Sequence, residues 1–278
     1  MGINRFDKGK RFVFQTILRN DRLNTYSEYI KMAKDNNYQV CSMIEFYQAP
    51  NQGKHFVLRH DVDYSGPATR RMFFTEQRLG VHSTYYFRKS TIDIPLMNEM
   101  IDAGFEVGFH YETLSDYATE NNLDRISERD LSICRERLKK EIMDFNSLLK
   151  KPISSIVGHG TRKNFQIGQS NNVLLENQDY KDFGIVFEGY DKNLYADYVS
   201  AHIMDGSIRR NFGFSYSSNP IEAIDNCERN IVFLSHPNHW YKTLPQRGWE
   251  LTALVLGRYT PETNREFSRI LETERKQQ

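Results

Sequence analysis

Cysteine is scarce in this chain. Only Cys41, Cys134 and Cys227 occur in 278 residues, none in a Cys-x-x-Cys spacing. An odd number of widely separated thiols argues against a disulfide framework or a structural zinc finger, and fits a reducing compartment. A dominant charge is also missing. The formal net charge is +1, which gives no reason to expect a nucleic acid or an anionic membrane as partner. No apolar run is long enough to span a bilayer. Residues Met1 to Val13 are mostly polar, with Arg5, Lys8, Lys10 and Arg11, and lack the apolar core of a signal peptide. Met1-Gly2 fails as a myristoylation site because Phe6 stands where Ser or Thr is needed. A cytoplasmic protein is expected. There is no Gly-x-x-x-x-Gly-Lys loop, no Gly-x-Gly-x-x-Gly and no Gly-x-Ser-x-Gly. Nucleotide binding through those loops and serine-hydrolase chemistry therefore have no support.

What is present is an ordinary globular composition, 39% hydrophobic and 26% charged, enough for a real core. Residues 14–51 read as helix and then loop, with Ser27 as a cap and Asn36-Asn37 as the stop. From residue 55 a rhythm begins. Phe56–Arg59 is strand-like and Pro67–Gly80 helix-like. Ser83–Arg88 is strand-like, Ile92–Ala103 helical, and Phe105–Phe109 strand-like again. Ser127–Leu149 is the strongest helix: Leu131, Cys134, Leu138, Ile142, Phe145 and Leu149 recur at steps of three and four. Ser127 and Asp130 make its cap. Ser155–Gly158, Phe183–Phe187 and Ile231–Ser235 are further apolar runs, and Glu262–Lys276 reads as a terminal helix. Alternating strands and helices predict an α/β fold with a parallel sheet and outer helices. No repeat or linker interrupts it. We expect one domain over 1–278, with 1–54 as an N-terminal helical extension, forming a (β/α) barrel, complete or incomplete, or an open doubly wound sheet.

Ligand sites in such sheets lie at the C-terminal ends of the strands. Here those ends carry the polar residues: Asp61 and Asp63, then Arg88, His110, His159 and His236. Four of the eight histidines (His60, His110, His159, His236) directly follow or end an apolar run. Each alone reads as a hydrogen-bonded structural residue; together they imply one rim. Two carboxylates one residue apart could also cap the helix starting near Pro67, but capping needs one acceptor, not two. Imidazole and carboxylate suit zinc, and also iron, cobalt or nickel. Such a site supports metal-assisted hydrolysis with a carboxylate base and an imidazole acid. His110-Tyr111-Glu112 lacks the downstream Pro-Cys-x-x-Cys that a zinc nucleobase deaminase requires.

The order of motifs resembles the polysaccharide deacetylase family, the NodB-homology or family 4 carbohydrate esterases, over roughly residues 55–240. Leu58-Arg59-His60-Asp61-Val62-Asp63 is similar to the family's first motif, Gly104-Phe105-Glu106-Val107-Gly108-Phe109-His110 to the approach to its second, and Leu234-Ser235-His236-Pro237 to its last. The resemblance implies a distorted (β/α) barrel with fewer than eight strands. It implies Asp61 as catalytic base, Asp63 and His110 as metal ligands and His236 as general acid. The family's second ligating His is replaced here by Leu114. His159, or alternatively Glu112, is available as third ligand, with His159 preferred. The family's Arg-x-Pro-type segment is not recognisable, and Arg162, Arg88 or Arg59 would orient the base. Trp240 would stack on a sugar or fill the core, and Asp205 has no argued place. The implied activity is removal of an N-acyl group, N-acetyl above all, from an amino sugar in bacterial surface-polysaccharide synthesis. The substrate would be nucleotide-linked or lipid-linked. The alternative is an inactive relative that binds a glycan or a partner enzyme.

Overall fold

The computed structural model describes residues 21–64, 66–206, 213–243, and 245, 246 and 248. In chain order the elements are α1 (Leu23–Asp35), β1 (Gln39–Cys41), α2 (Met43–Gln48), β2 (His55–Val62), α3 (Pro67–Leu79), β3 (Thr84–Phe87), α4 (Ile94–Asp102) and β4 (Glu106–Tyr111). Then come α5 (Thr113–Glu120), α6 (Glu128–Ser147), β5 (Ser155–Gly158), α7 (Arg162–Ile167), β6 (Phe187–Glu188), α8 (Lys192–Tyr198), β7 (Ala201–Asp205), β8 (Phe214–Tyr216), α9 (Pro220–Asp225), β9 (Asn230–Ser235) and α10 (Pro237–Trp240).

The strands form one sheet in the order β6-β5-β4-β3-β2-β9-β7-β8, with β1 added beside β2. Along that path only β8 is antiparallel. The mostly parallel sheet curls into a half-barrel with helices around it, as expected of a distorted (β/α) barrel with fewer than eight parallel strands on its path. The segment before residue 55 is more than a helical extension. Gln39 pairs with His55 and Cys41 with Val57, so this segment supplies a strand of the sheet.

β2 explains how the sheet builds two different faces. Side chains alternate along a strand. Phe56, Leu58 and Val62 enter the large outer core with Tyr85, Phe87, Val107, Phe109, Tyr111 and the helices. The opposite set, Val57, Arg59 and Asp61, faces the concave side, where Val57 joins Cys41, Met43, Phe46, Phe187 and Val232 in a smaller core. The polar outer-face residue His60 is tied to Ser235 and Glu76. Glu76 also accepts from Tyr26, Ser83 and Tyr85. A fully buried carboxylate needs such a set of donors. The run Phe56–Arg59 thus belongs to a strand with both faces buried.

Several elements follow from local chemistry. Ser127 and Asp130 form the capping box of α6, whose apolar stripe Leu131, Cys134, Leu138, Ile142 and Phe145 is buried. Gly80 ends α3 at φ 61, a left-handed conformation that costs glycine nothing. The N-cap of α3 is Gly66, with no side-chain cap bond, so neither Asp61 nor Asp63 serves as a helix cap. Ser27 is not a cap either. α1 starts earlier, and Ser27 Oγ donates to the carbonyl of Leu23 within it. The apolar run Phe183–Phe187 is mostly loop and turn, with only Phe187–Glu188 paired as strand. The helix expected over Glu262–Lys276 lies outside the described residues.

Gly108 sets the width of the concave face. A Cβ there would lie 2.4 Å from the Tyr86 ring and 2.8 Å from the Ser155 carbonyl oxygen. Tyr86 therefore crosses β4 and reaches Ser155 Oγ at 2.8 Å. Gly108→Ala is expected to lower stability by about 1–3 kcal/mol through overpacking. A urea titration checks it, and an unchanged midpoint would contradict this packing.

Candidate metal centre

Asp61 and Asp63 leave the end of β2, His110 the end of β4, His159 follows β5 and His236 follows β9. All five meet on the C-terminal rim. His110 Nε2 lies 3.5 Å from Asp63 Oδ1, and His159 Nε2 lies 3.4 Å from the same atom. Both ring tautomers are set by their other nitrogen. His110 Nδ1 donates to the Val157 carbonyl at 3.0 Å, and His159 Nδ1 donates to Glu112 at 2.9 Å. Each Nε2 therefore points a lone pair at Asp63 Oδ1. That oxygen is buried and has no hydrogen-bond donor among the described residues. Three acceptors facing one another repel unless a positive charge lies between them. Ligand atoms about 2.0–2.2 Å from a tetrahedral ion sit about 3.3–3.6 Å from one another, and the two separations to Asp63 match this. Asp63, His110 and His159 are thus a donor set suited to a divalent cation.

The ring-fixing partners form a second layer. Glu112 accepts from Arg88 Nε at 3.0 Å and from Nη2 at 2.8 Å, and Arg88 Nη1 donates to the Asp63 carbonyl at 3.2 Å. Burial pushes the Glu112 carboxyl up, but His159 and Arg88 outweigh it and hold it at about 2. Glu112 therefore acts here as the anion that orients His159, which separates the two third-ligand candidates.

Asp61 is gripped by Arg59, its neighbour on the same face of β2. Arg59 Nε donates to Oδ1 at 3.0 Å and Nη2 to Oδ2 at 2.9 Å. The guanidinium is fully buried, donates to the Gly189 carbonyl at 2.9 Å and lies 4.0 Å from the centre of the Tyr190 ring. Burial raises the Asp61 carboxyl, yet the Arg59 guanidinium outweighs it and keeps the carboxyl below the usual carboxylate range. Of the three arginines considered from the sequence, Arg59 is the one that holds Asp61. Arg88 orients Glu112. Arg162 is exposed on the first turn of α7 and takes no part in these contacts.

Facing this group from β9, His236 Nε2 lies 3.7 Å from Asp63 Oδ2. Its Nδ1 donates to Asp205 Oδ1 at 2.7 Å, and its backbone N–H donates to Oδ2 at 2.9 Å. Asp205, at the end of β7, also accepts from His239 Nδ1 at 3.0 Å and from the indole N–H of Trp240 at 2.7 Å. Burial lowers His236, but Asp205 with Asp63 and Asp61 raises it to about 9. Trp240 is buried among Tyr26, Tyr29 and Phe233. It is a core residue that steadies Asp205 and presents no ring face to a sugar. His60 lies on the far side of β2, away from the centre.

Sequence reasoning placed Asp205 nowhere, and it left Glu188 and Tyr190 unmentioned. Period-two spacing of Arg59 and Asp61 was a usable signal for their pairing. For Asp205 a five-residue strand of alternating burial offered little.

No protein-family model and no curated sequence matches the chain. Among solved structures, similar ones include a mutant of BA3943, described as a CE4 family pseudoenzyme with restored enzymatic activity. It has a TM-score of 0.42 and 14% identity over 74% of this chain and 62% of that one. Wild-type BA3943 from Bacillus anthracis has the same TM-score and identity, over 74% and 60%. A family 4 carbohydrate esterase from Bacillus anthracis has a TM-score of 0.40 and 13% identity over 90% and 86%. The match with the two BA3943 chains thus spans about three fifths of their length.

Beside Arg59 sits Glu188, a buried carboxylate that, among the described residues, accepts only from the backbone N–H groups of Tyr190 and Gly158. Burial pushes it up to about 7, against the pull of the Tyr190 N–H and of Arg59. Between the unfolded value of 4.5 and about 7 the folded protein holds the extra proton, so stability falls as pH rises through that window. Glu188→Gln is expected to match wild type near pH 4 and to be more stable by up to about 3 kcal/mol near pH 8. Urea titrations at both pH values check this; parallel curves for the two proteins would contradict it.

Proposed function

We propose that the protein is a divalent-metal-dependent hydrolase that removes an N-acyl group, N-acetyl first of all, from an amino sugar. The observation that carries this reading is the buried, donorless Asp63 Oδ1 facing two imidazole lone pairs, with Asp61 and His236 at its sides. Asp63, His110 and His159 would hold the cation. A cation held there polarises a carbonyl and acidifies a water.

The remaining roles fall to residues of the chain. Asp61 is held ionised by Arg59 and accepts the proton of the attacking water. Its low proton affinity makes it a base only for a water already acidified, which ties its role to the neighbouring ligands. His236 is held protonated by Asp205, and it gives its proton to the departing amine as the C–N bond breaks. The bond formed is carbon to water oxygen, and the products are a carboxylate and an amine. Buried Arg59 and half-buried Arg88 keep Asp61 and Glu112 fixed, so little reorganisation accompanies the reaction. A glycan intermediate of surface-polysaccharide synthesis is the substrate class this reading carries with it, with turnover in the cytoplasm.

The test is release of acetate from N-acetylated amino sugars by zinc-supplemented protein. Asp61→Asn and His236→Gln are each expected to lower kcat at least 100-fold, within the range of general acid–base contributions, while leaving zinc content unchanged. Sugar binding without any acetate release, from wild type and variants alike, would instead identify a non-catalytic binder.

A further inference from the structure

The rim between β5 and β6 carries a cavity of about 260 Å³, lined by Glu188, Asp191, Tyr190, Asn172, Asn177 and Asn193 among others. It shares walls with the centre just described. Asn172 Oδ1 fills the space that a Cβ on Gly158 would need, at 1.9 Å, and Gly158 directly precedes His159. Tyr190 lies against the Arg59 guanidinium that holds Asp61. Ligand pockets for drug-sized molecules run to about 300–1,000 Å³, so this cavity has room for one small ring.

The charge on its walls is acidic and incompletely answered. Glu188 is 4% exposed, and its hydrogen bonds come from two backbone N–H groups at 2.6 and 3.4 Å. The Arg59 guanidinium, which acts on Glu188, spends its hydrogen bonds on Asp61 and the Gly189 carbonyl. Lys192, on the cavity wall, is paired with Glu176 at 2.7 Å. A buried carboxylate with no cation bonded to it is costly, and here the carboxylate borders open space. The asparagine amides add donors and acceptors suited to hydroxyl groups. Tyr180 and Tyr190 add aromatic rings, which attract cations at their faces. A phosphate or diphosphate would meet carboxylates.

We propose that this cavity binds the ammonium group of an amino-sugar unit, with its ring hydroxyls against the asparagines. This rests on the hydrolase reading and deepens it. The group recognised is the one that hydrolysis uncovers, so the enzyme would hold an already N-deacylated unit beside the one being processed.

The experiment is titration calorimetry of full-length protein near neutral pH with glucosamine, N-acetylglucosamine and glucose as probes. Glucosamine is expected to bind about tenfold or more tightly than either neutral sugar. Glu188→Gln, and separately the exposed rim change Asn193→Lys, should each weaken it about tenfold, the weight of one charge-assisted hydrogen bond. Asp63→Asn should leave it unchanged, which separates this cavity from the metal centre. Equal binding of the three sugars, no binding of glucosamine, or insensitivity to both cavity variants would overturn the proposal. Glucosamine binding that is lost in Glu188→Gln, in a protein that releases no acetate, would uphold the cavity and remove the hydrolase reading. Acetate release with glucosamine binding indifferent to Glu188→Gln would do the reverse.

Discussion

Three acceptor atoms held against one another in a buried place are the constraint around which this rim is built. Asp63 Oδ1 faces the lone pairs of His110 and His159 at 3.5 and 3.4 Å, with no donor of its own. The neighbours are arranged to keep this electrostatic demand in place. The Val157 carbonyl and Glu112 each accept a hydrogen bond from an Nδ1–H, which in the neutral rings leaves Nε2 as a lone pair toward Asp63. Arg88 then fixes Glu112 and reaches the Asp63 backbone.

The same economy of position appears in β2. Its concave side carries the charged residues Arg59 and Asp61, with Asp63 just past its end. Its outer side carries Phe56, Leu58 and Val62 in the core and His60 in a closed polar network. Glu76 collects donors from Tyr26, His60, Ser83 and Tyr85, tying α1, α3, β2 and β3 together behind the rim. A fully satisfied buried network of this kind favours one arrangement over its competitors. It fixes the strand that positions both aspartates.

Much of this was legible in the sequence, for identifiable reasons. Asp61, Asp63, His110 and His236 were readable because parallel strands place their C-terminal ends on one rim, and each of these residues ends or follows an apolar run. The boundaries of α3 and α6 were readable from Gly80 and from Ser127 with Asp130. Pairing between residues distant in sequence was not. Nothing in the sequence says that Glu112 accepts a hydrogen bond from His159 rather than binding a metal beside it, since both positions lie at strand ends. Arg162 resembled Arg59 as a partner for Asp61 until topology separated them. Asp205 lies in a short strand of mixed burial, and the helix N-cap reading of the two aspartates fell only when Gly66 proved to hold that position.

The most direct measurement is zinc stoichiometry of the purified protein after equilibration with limiting free zinc, beside His159→Ala and Glu112→Ala. The proposed reading predicts about one zinc per chain in wild type. His159→Ala should lose it. Glu112→Ala should retain it with affinity lower by about 10–100-fold, the weight of a partner that orients a ligand. Wild type without zinc, or a His159→Ala variant that binds it as tightly as wild type, would contradict the assignment of Asp63, His110 and His159 as the metal-binding set.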